Sequence, residues 1–152
     1  MREQRLLTDL QSMIELNQKS SLISVEYEGK LPDKYIVTYY CRSLIWVEGN
    51  KAPSISSRHQ VEIYLHKDYP RMPPALKWLT NIFHPNILPP HKNGIVCVSC
   101  WSPTEILDKL SIRIGEMLQY KNHNLIDPID QEAAAWVRQN VDLLPLDTRS
   151  LF

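Results

Sequence analysis

Two cysteines three positions apart, Cys97 and Cys100, follow two histidines, His84 and His91, in the stretch HPNILPPHKNGIVCVSCWSP. Thiols and imidazoles hold zinc, cycle between dithiol and disulfide, or attack a carbonyl. For zinc, the four side chains are acceptable ligands, but their spacing is loose. Trp101 and Pro103 also leave little freedom to wrap an ion. A zinc deaminase needs His-x-Glu before Pro-Cys-x-x-Cys; Asn86 replaces the glutamate and Val96 the proline, which excludes it. A redox pair gains a depressed thiol pKa at a helix N-terminus, and the helix start expected at Ser102 lies just past both cysteines. The nucleophile reading asks for one exposed thiol beside a hydrogen-bond donor and a cleft. GIVCV reads as an extended piece carrying Cys97, with Gly94 leaving room for close approach of another chain. No His–Asp pair is arranged to activate the thiol, so the acyl group should arrive already activated. Exchange between thioesters fits, because it costs little free energy.

The elements that must position this stretch follow from periodicity. Leu6, Leu7, Leu10, Met13 and Ile14 form one stripe of an amphipathic helix over residues 2–17. The period then becomes two: Ile23, Val25 and Tyr27; Tyr35, Val37, Tyr39 and Cys41; Val61, Ile63 and Leu65. Residues 75–79 (ALKWL) suit a fourth strand. Short turns between the first three argue for an antiparallel meander. After the cysteines, Ser102-Pro103-Thr104-Glu105 has the pattern of a helix start, with Ile106, Leu107, Leu110, Ile114, Met117 and Leu118 as its buried stripe. A last helix near 130–141 uses Ala133, Ala134, Val137 and Val141. The fold class is α+β: an N-terminal helix, a β-meander of three to four strands, an active-site loop and two helices.

Composition narrows the function further. The length suits one domain, 1–152, with 43% hydrophobic and 22% charged residues. Seventeen basic residues balance seventeen acidic ones without a basic stripe, so nucleic acid is not an expected partner. No apolar run approaches the ~18 residues of a membrane span, and the N-terminal stretch lacks a secretory h-region. Three cysteines are too few for a disulfide framework, which points to a reducing cytoplasm.

YPRMPP at 69–74, FHPNI at 83–87, GIVCV at 94–98, WSP at 101–103 and NLIDP at 124–128 occur in the order found in ubiquitin-conjugating enzymes. The chain resembles a compact, divergent member of that family over about residues 2–141, closest in character to the prokaryotic members. The resemblance implies a UBC-like fold and a thioester-carrying transferase. An activating enzyme would load a ubiquitin-like modifier onto Cys97, and a target amine would take it. By the same resemblance, Asn86 stabilises the oxyanion or holds the active-site loop, and Asp127 orients the incoming lysine, with Asp130 and Glu132 as competing acids. His84 and Trp101 are structural. Arg2 and Arg5 dock the activating enzyme, so reversing both charges should slow charging and leave the fold intact. Arg71, Met72, Ser102 and Pro103 lie where ligases dock. Cys41 is a small buried hydrophobe, and Cys100 has no family counterpart.

Departures from the pattern are a longer Asn86–Cys97 loop carrying ProProHisLys and a shorter Cys97–Trp101 link. Prokaryotic relatives are encoded with an activating enzyme, a modifier and a deconjugating peptidase, in some cases in antiviral operons. No metal or small-molecule cofactor is implied. The target, the ligase and the modifier's identity stay open. A non-catalytic UBC-fold binding module and a small zinc-binding structural domain are the alternatives.

Overall fold

Apolar residues every three or four positions wind the first eighteen-residue element, α1 (Arg2–Lys19), in the computed structural model, which describes residues 1–152. Its inward face is Leu6, Leu10, Met13 and Leu16 together with Asp9, whereas Leu7, expected in the buried stripe, is exposed. Alternating residues then build β1 (Ile23–Tyr27), β2 (Lys34–Tyr39), β3 (Ser43–Ile45), β4 (Ser54–Ser56), β5 (His59–Tyr64) and β6 (Ala75–Trp78). Strands β1, β2, β5 and β6 form one antiparallel sheet in that order, with Val25 opposite Val37, Val37 opposite Val61, and Val61 opposite Trp78. This is the expected meander with its fourth strand.

The link between β2 and β5 is not the short turn expected. It carries a separate hairpin, β3–β4, with Leu44 opposite Ile55. Its apolar residues Leu44, Ile45, Trp46 and Val47 run consecutively instead of alternating, so the stretch shows no period of two. Leu44 nevertheless packs with Phe83, Tyr120, Ala133 and Val137, and its carbonyl accepts from Phe83 N–H at 2.8 Å.

Two helices complete the chain, α2 (Leu107–Leu118) and α3 (Gln131–Gln139). The Ser102–Glu105 pattern does not start α2. It closes a turn, Glu105 N–H donating to Ser102 O at 2.9 Å, and the helix begins after Ile106. Asp9 takes over the cap: its Oδ1 accepts from Leu107 N–H at 3.0 Å. Glu105 turns instead to Arg113, 3.0 Å away. Asp130 caps α3 by accepting from Ala133 N–H at 3.0 Å. Val141 falls past the end of α3 and is exposed.

The face of the sheet that packs on α1 and α2 holds the main core, including Met13, Leu16, Tyr35, Val37, Trp78, Leu110 and Ile114. Cys41 is fully buried there, and burial pushes its thiol up to about 12. The chain end crosses this core as a strap. Leu151 packs against Gly115 and Tyr39, where an added Cβ would collide. Buried Asp147 gathers Arg42 N–H at 2.9 Å and the Arg149 guanidinium at 2.7 Å. No helix is long and apolar enough to cross a membrane.

Candidate active site

Residues 84–97 leave β6 and return to it as an irregular hairpin. Leu88 N–H donates to Ile95 O at 2.8 Å, and Cys97 N–H donates to Asn86 O at 2.9 Å. The ProProHisLys insertion is absorbed at the tip, where Pro90–Lys92 make one 3-10 turn and Asn93 and Gly94 take left-handed φ values of 74° and 59°. The extra residues therefore extend away from the base and leave Asn86 opposite Cys97. Gly94 was expected to admit another chain; the space is already filled by this one. A Cβ there would lie 2.7 Å from Trp78 O, and Trp78 N–H donates to Gly94 O at 2.8 Å. The glycine thus welds the loop to β6.

His84 and Asn86 hold the base from beneath. His84 is fully buried. Its Nδ1 accepts from Asn86 N–H at 3.0 Å, and its Nε2 is 2.8 Å from Met117 O. Accepting on one side and donating on the other fixes the neutral Nε2–H tautomer. Burial, first of all, lowers its pKa to about 3. Both ring nitrogens are spent on backbone, so His84 cannot be a metal ligand, and the zinc alternative loses one of its four groups. The Asn86 side chain clasps Asn124 from both ends: Nδ2 donates to Asn124 O at 2.8 Å, and Oδ1 accepts from Asn124 N–H at 2.9 Å. Pro85 O accepts from Ile129 N–H at 2.8 Å, which draws in the approach to α3.

Above this base Cys97 is exposed and free, as is Cys100. A cleft of about 180 Å³ opens beside Cys97, with Asn86, Asn124, His123 and Arg113 among its walls. The cleft joins Cys97 with Asn86 but not with Asp127, which is exposed and outside the lining. Of the competing acids, Asp130 is committed to its cap, and Glu132 faces a separate groove with Trp46, Phe83 and His91. Arg113, His123 and Asn124 escaped the sequence reading. Asn124 entered only as the first letter of NLIDP, His123 stands just before it, and nothing in a helical arginine pointed to Arg113.

The expected docking residues gather around the N-terminal part of α1. Trp101 donates its Nε1–H to Pro70 O at 3.0 Å and lies 5.7 Å from the Tyr69 ring, tying the 69–72 and 101–103 loops together. Met72, Arg71, Ser102 and Pro103 are exposed on these loops. Arg2 and Arg5 face inward. Arg2 donates to Leu65 O and His66 O, each at 2.6 Å. Arg5, its side chain 14% exposed, pairs with Asp9 at 3.1 Å and donates to Tyr69 Oη at 2.9 Å and to the carbonyls of Pro103 and Glu105. Charge reversal would set a glutamate against buried Asp9. The expectation of an intact fold in that double variant is therefore wrong, because these arginines are structural clamps whatever else they touch.

Comparison with known proteins points to one family. The family description "Ubiquitin-conjugating enzyme" matches residues 41–144, more than half of the chain. "Ubiquitin-conjugating enzyme E2 13" of Schizosaccharomyces pombe is 31% identical over 87 residues, covering 55% of each chain. Its namesake from Saccharomyces cerevisiae is 30% identical over 100 residues, 62% of each. "NEDD8-conjugating enzyme ubc12" of S. pombe is 34% identical over 82 residues, 51% of this chain and 44% of the relative. The chain thus spans about half the length of the curated relatives it matches. Among solved structures, the E2 domain of a Toxoplasma gondii ubiquitin conjugating enzyme superposes with a TM-score of 0.65 at 24% identity, covering 96% of this chain and 92% of that one. A "Novel Ubiquitin-Conjugating Enzyme" gives 0.67 at 20% identity, covering 96% and 93%.

Proposed function

Starting from a chain that belongs to the ubiquitin-conjugating enzyme family, we propose that it is a transferase whose acyl carrier is Cys97. The observation that carries this is the pairing of an exposed, free Cys97 with buried Asn86 in one cleft, joined by the 2.9 Å Cys97 N–H···O=C Asn86 bond. In loading, the Cys97 sulfur attacks the thioester carbonyl of a ubiquitin-like modifier held by an activating enzyme. A new S–C bond forms, the old one breaks, and the enzyme's thiol leaves with a proton. In transfer, a target amine attacks the Cys97 thioester, an amide C–N bond forms, and the Cys97 sulfur leaves. The amine's surplus proton passes to solvent or a nearby base.

Of the two roles open to Asn86, the double clasp on Asn124 supports holding the loop, since both ends of the amide are occupied. Asp127 acts, in this reading, on the approaching amine outside the cleft, where a carboxylate steers an ammonium without sharing the thiol's pocket. The ligase surface is the Met72–Ser102 end of α1, and the activating enzyme docks along the outer face of the same helix. Three free cysteines suit a reducing compartment, which supports a cytoplasmic reading.

The test is a charging reaction with an activating enzyme, a ubiquitin-like modifier and ATP, read on a non-reducing gel. Wild type and Cys100→Ser should form a thiol-sensitive adduct, and Cys97→Ser a thiol-resistant oxyester or none. An adduct lost only in Cys100→Ser would overturn the assignment of the carrier.

A further inference from the structure

The cleft beside Cys97 has one ionised wall, and it is a cation. No aspartate or glutamate lines it; three asparagines do, with His123, whose pKa burial lowers and which is therefore neutral near pH 7. The cation is Arg113 of α2, its side chain 24% exposed. Its orientation is set from behind by Glu105, with Nε and Nη2 at 3.2 and 3.0 Å from Glu105 Oε2 and Nη2 at 2.8 Å from Cys100 O. Glu105 does not itself line the cleft, so an occupant meets the guanidinium before it meets the counter-charge. The remaining nitrogen, Nη1, touches only Cys100 Sγ at 3.9 Å, a weak acceptor, which leaves donors to spare on that edge.

Cys97 lines this cleft, so the residues preceding an acyl group bonded to it have a groove beside them. Resting on the acyl-carrier reading above, we infer that Arg113 is a specificity-determining residue for the acyl donor. It favours a modifier whose C-terminal tail carries an Asp or Glu within a few residues of the acyl carbon, and it disfavours Lys or Arg there. A carboxylate would meet a pre-oriented guanidinium, the geometry in which charge-assisted hydrogen bonds are strongest. A basic side chain would have no acid in the cleft to receive it.

The inference can be tested without the natural modifier. One short peptide ethyl thioester ending in glycine is prepared with Glu, Gln or Lys three residues before the acyl carbon. Cys97 displaces ethanethiol, forming one S–C bond and breaking another, and the mass gain at Cys97 is followed by peptide mapping. Each rate is divided by that toward N-acetylcysteine to remove intrinsic reactivity. Wild type should acylate in the order Glu, Gln, Lys, with Glu over Lys by on the order of three- to tenfold at low salt and less at high salt. Arg113→Lys should keep the order, and Arg113→Gln should abolish the Glu preference or, with Glu105 left unpaired, reverse it. Equal rates on wild type, or a preference that survives in Arg113→Gln, would overturn the inference. Failure of all three peptides while iodoacetamide still labels Cys97 would overturn the acyl-carrier reading beneath it.

Discussion

Two polar networks hold the functional loops, and they use opposite chemistry. In the first half of α1, Asp9 is fully buried and its side chain accepts from Arg5 Nε at 3.1 Å, Tyr69 Oη at 2.6 Å and Leu107 N–H at 3.0 Å. Under Cys97, His84 and Asn86 do equivalent work with no charge at all. A buried carboxylate must have its lone pairs filled, and each donor here comes from a different part of the fold. One side chain thereby locks α1, the loop at Tyr69 and the α2 start into one arrangement. A neutral imidazole and amide hold more weakly, but they add no charge beside the thiol. The contrast leaves Arg113 as the sole ion in the cleft.

Removing the charged hub should do the most damage. Asp9→Ala strands a mostly buried Arg5 and uncaps α2, and breaking such a pair typically costs ~3–5 kcal/mol. Urea denaturation should report that loss, while Asp9→Asn, which still offers a carbonyl, should lose less. Stability in Asp9→Asn equal to wild type would show that the charge at Asp9 is immaterial and would dissolve the contrast.

The neutral network should reveal itself through pH. His84 binds its proton more weakly when folded, with a pKa of about 3, than when unfolded, where it is about 6.5. Its stabilising contribution is therefore complete above about pH 6.5 and drains away as pH falls toward 3, by up to ~1.4 kcal/mol per pH unit. His59, shifted the same way by burial, adds to this slope. His84→Gln should flatten the profile between those limits, as measured by denaturation at stepped pH. An unchanged slope would mean that His84 is not held neutral.

The smallest effect on stability, and the most selective one, is expected at the clasp. Asn86→Ala removes two hydrogen bonds to Asn124, worth ~1–2 kcal/mol in folding. It should slow discharge of loaded Cys97 to free lysine by roughly tenfold, the equivalent of about 1.4 kcal/mol in a barrier. Loading should stay within about twofold. Single-turnover gels separate the two steps, and equal slowing of both would assign Asn86 to loading as well.

Much of this architecture is legible in the residues. The alternation from Ile23 to Leu65 and the 3.6-residue stripes of α1 and α2 are local patterns, and they place the sheet and helices where they fall. What stayed hidden lacks a local signature. The β3–β4 hairpin is short, and Leu44 is its only fully buried apolar residue. Ser102–Glu105 has the right residues for a helix start, yet Arg5 binds the Pro103 and Glu105 carbonyls and Arg113 takes the Glu105 carboxylate. Asp9 reads as a surface residue within α1 until its three donors are in view.

Sequence by itself determined the α+β frame, whose periods are read from neighbouring side chains, and the presence of a thiol in GIVCV beyond His-Pro-Asn. Tertiary structure alone decided which groups surround that thiol. Asn86 grips a backbone 38 residues away, and Asp9 caps a helix 98 residues away. Arg113 joins the cleft while Asp127 remains outside its lining. Side-chain type and short-range period are properties of adjacent residues, whereas partners across such spans meet only once the loops between them have closed.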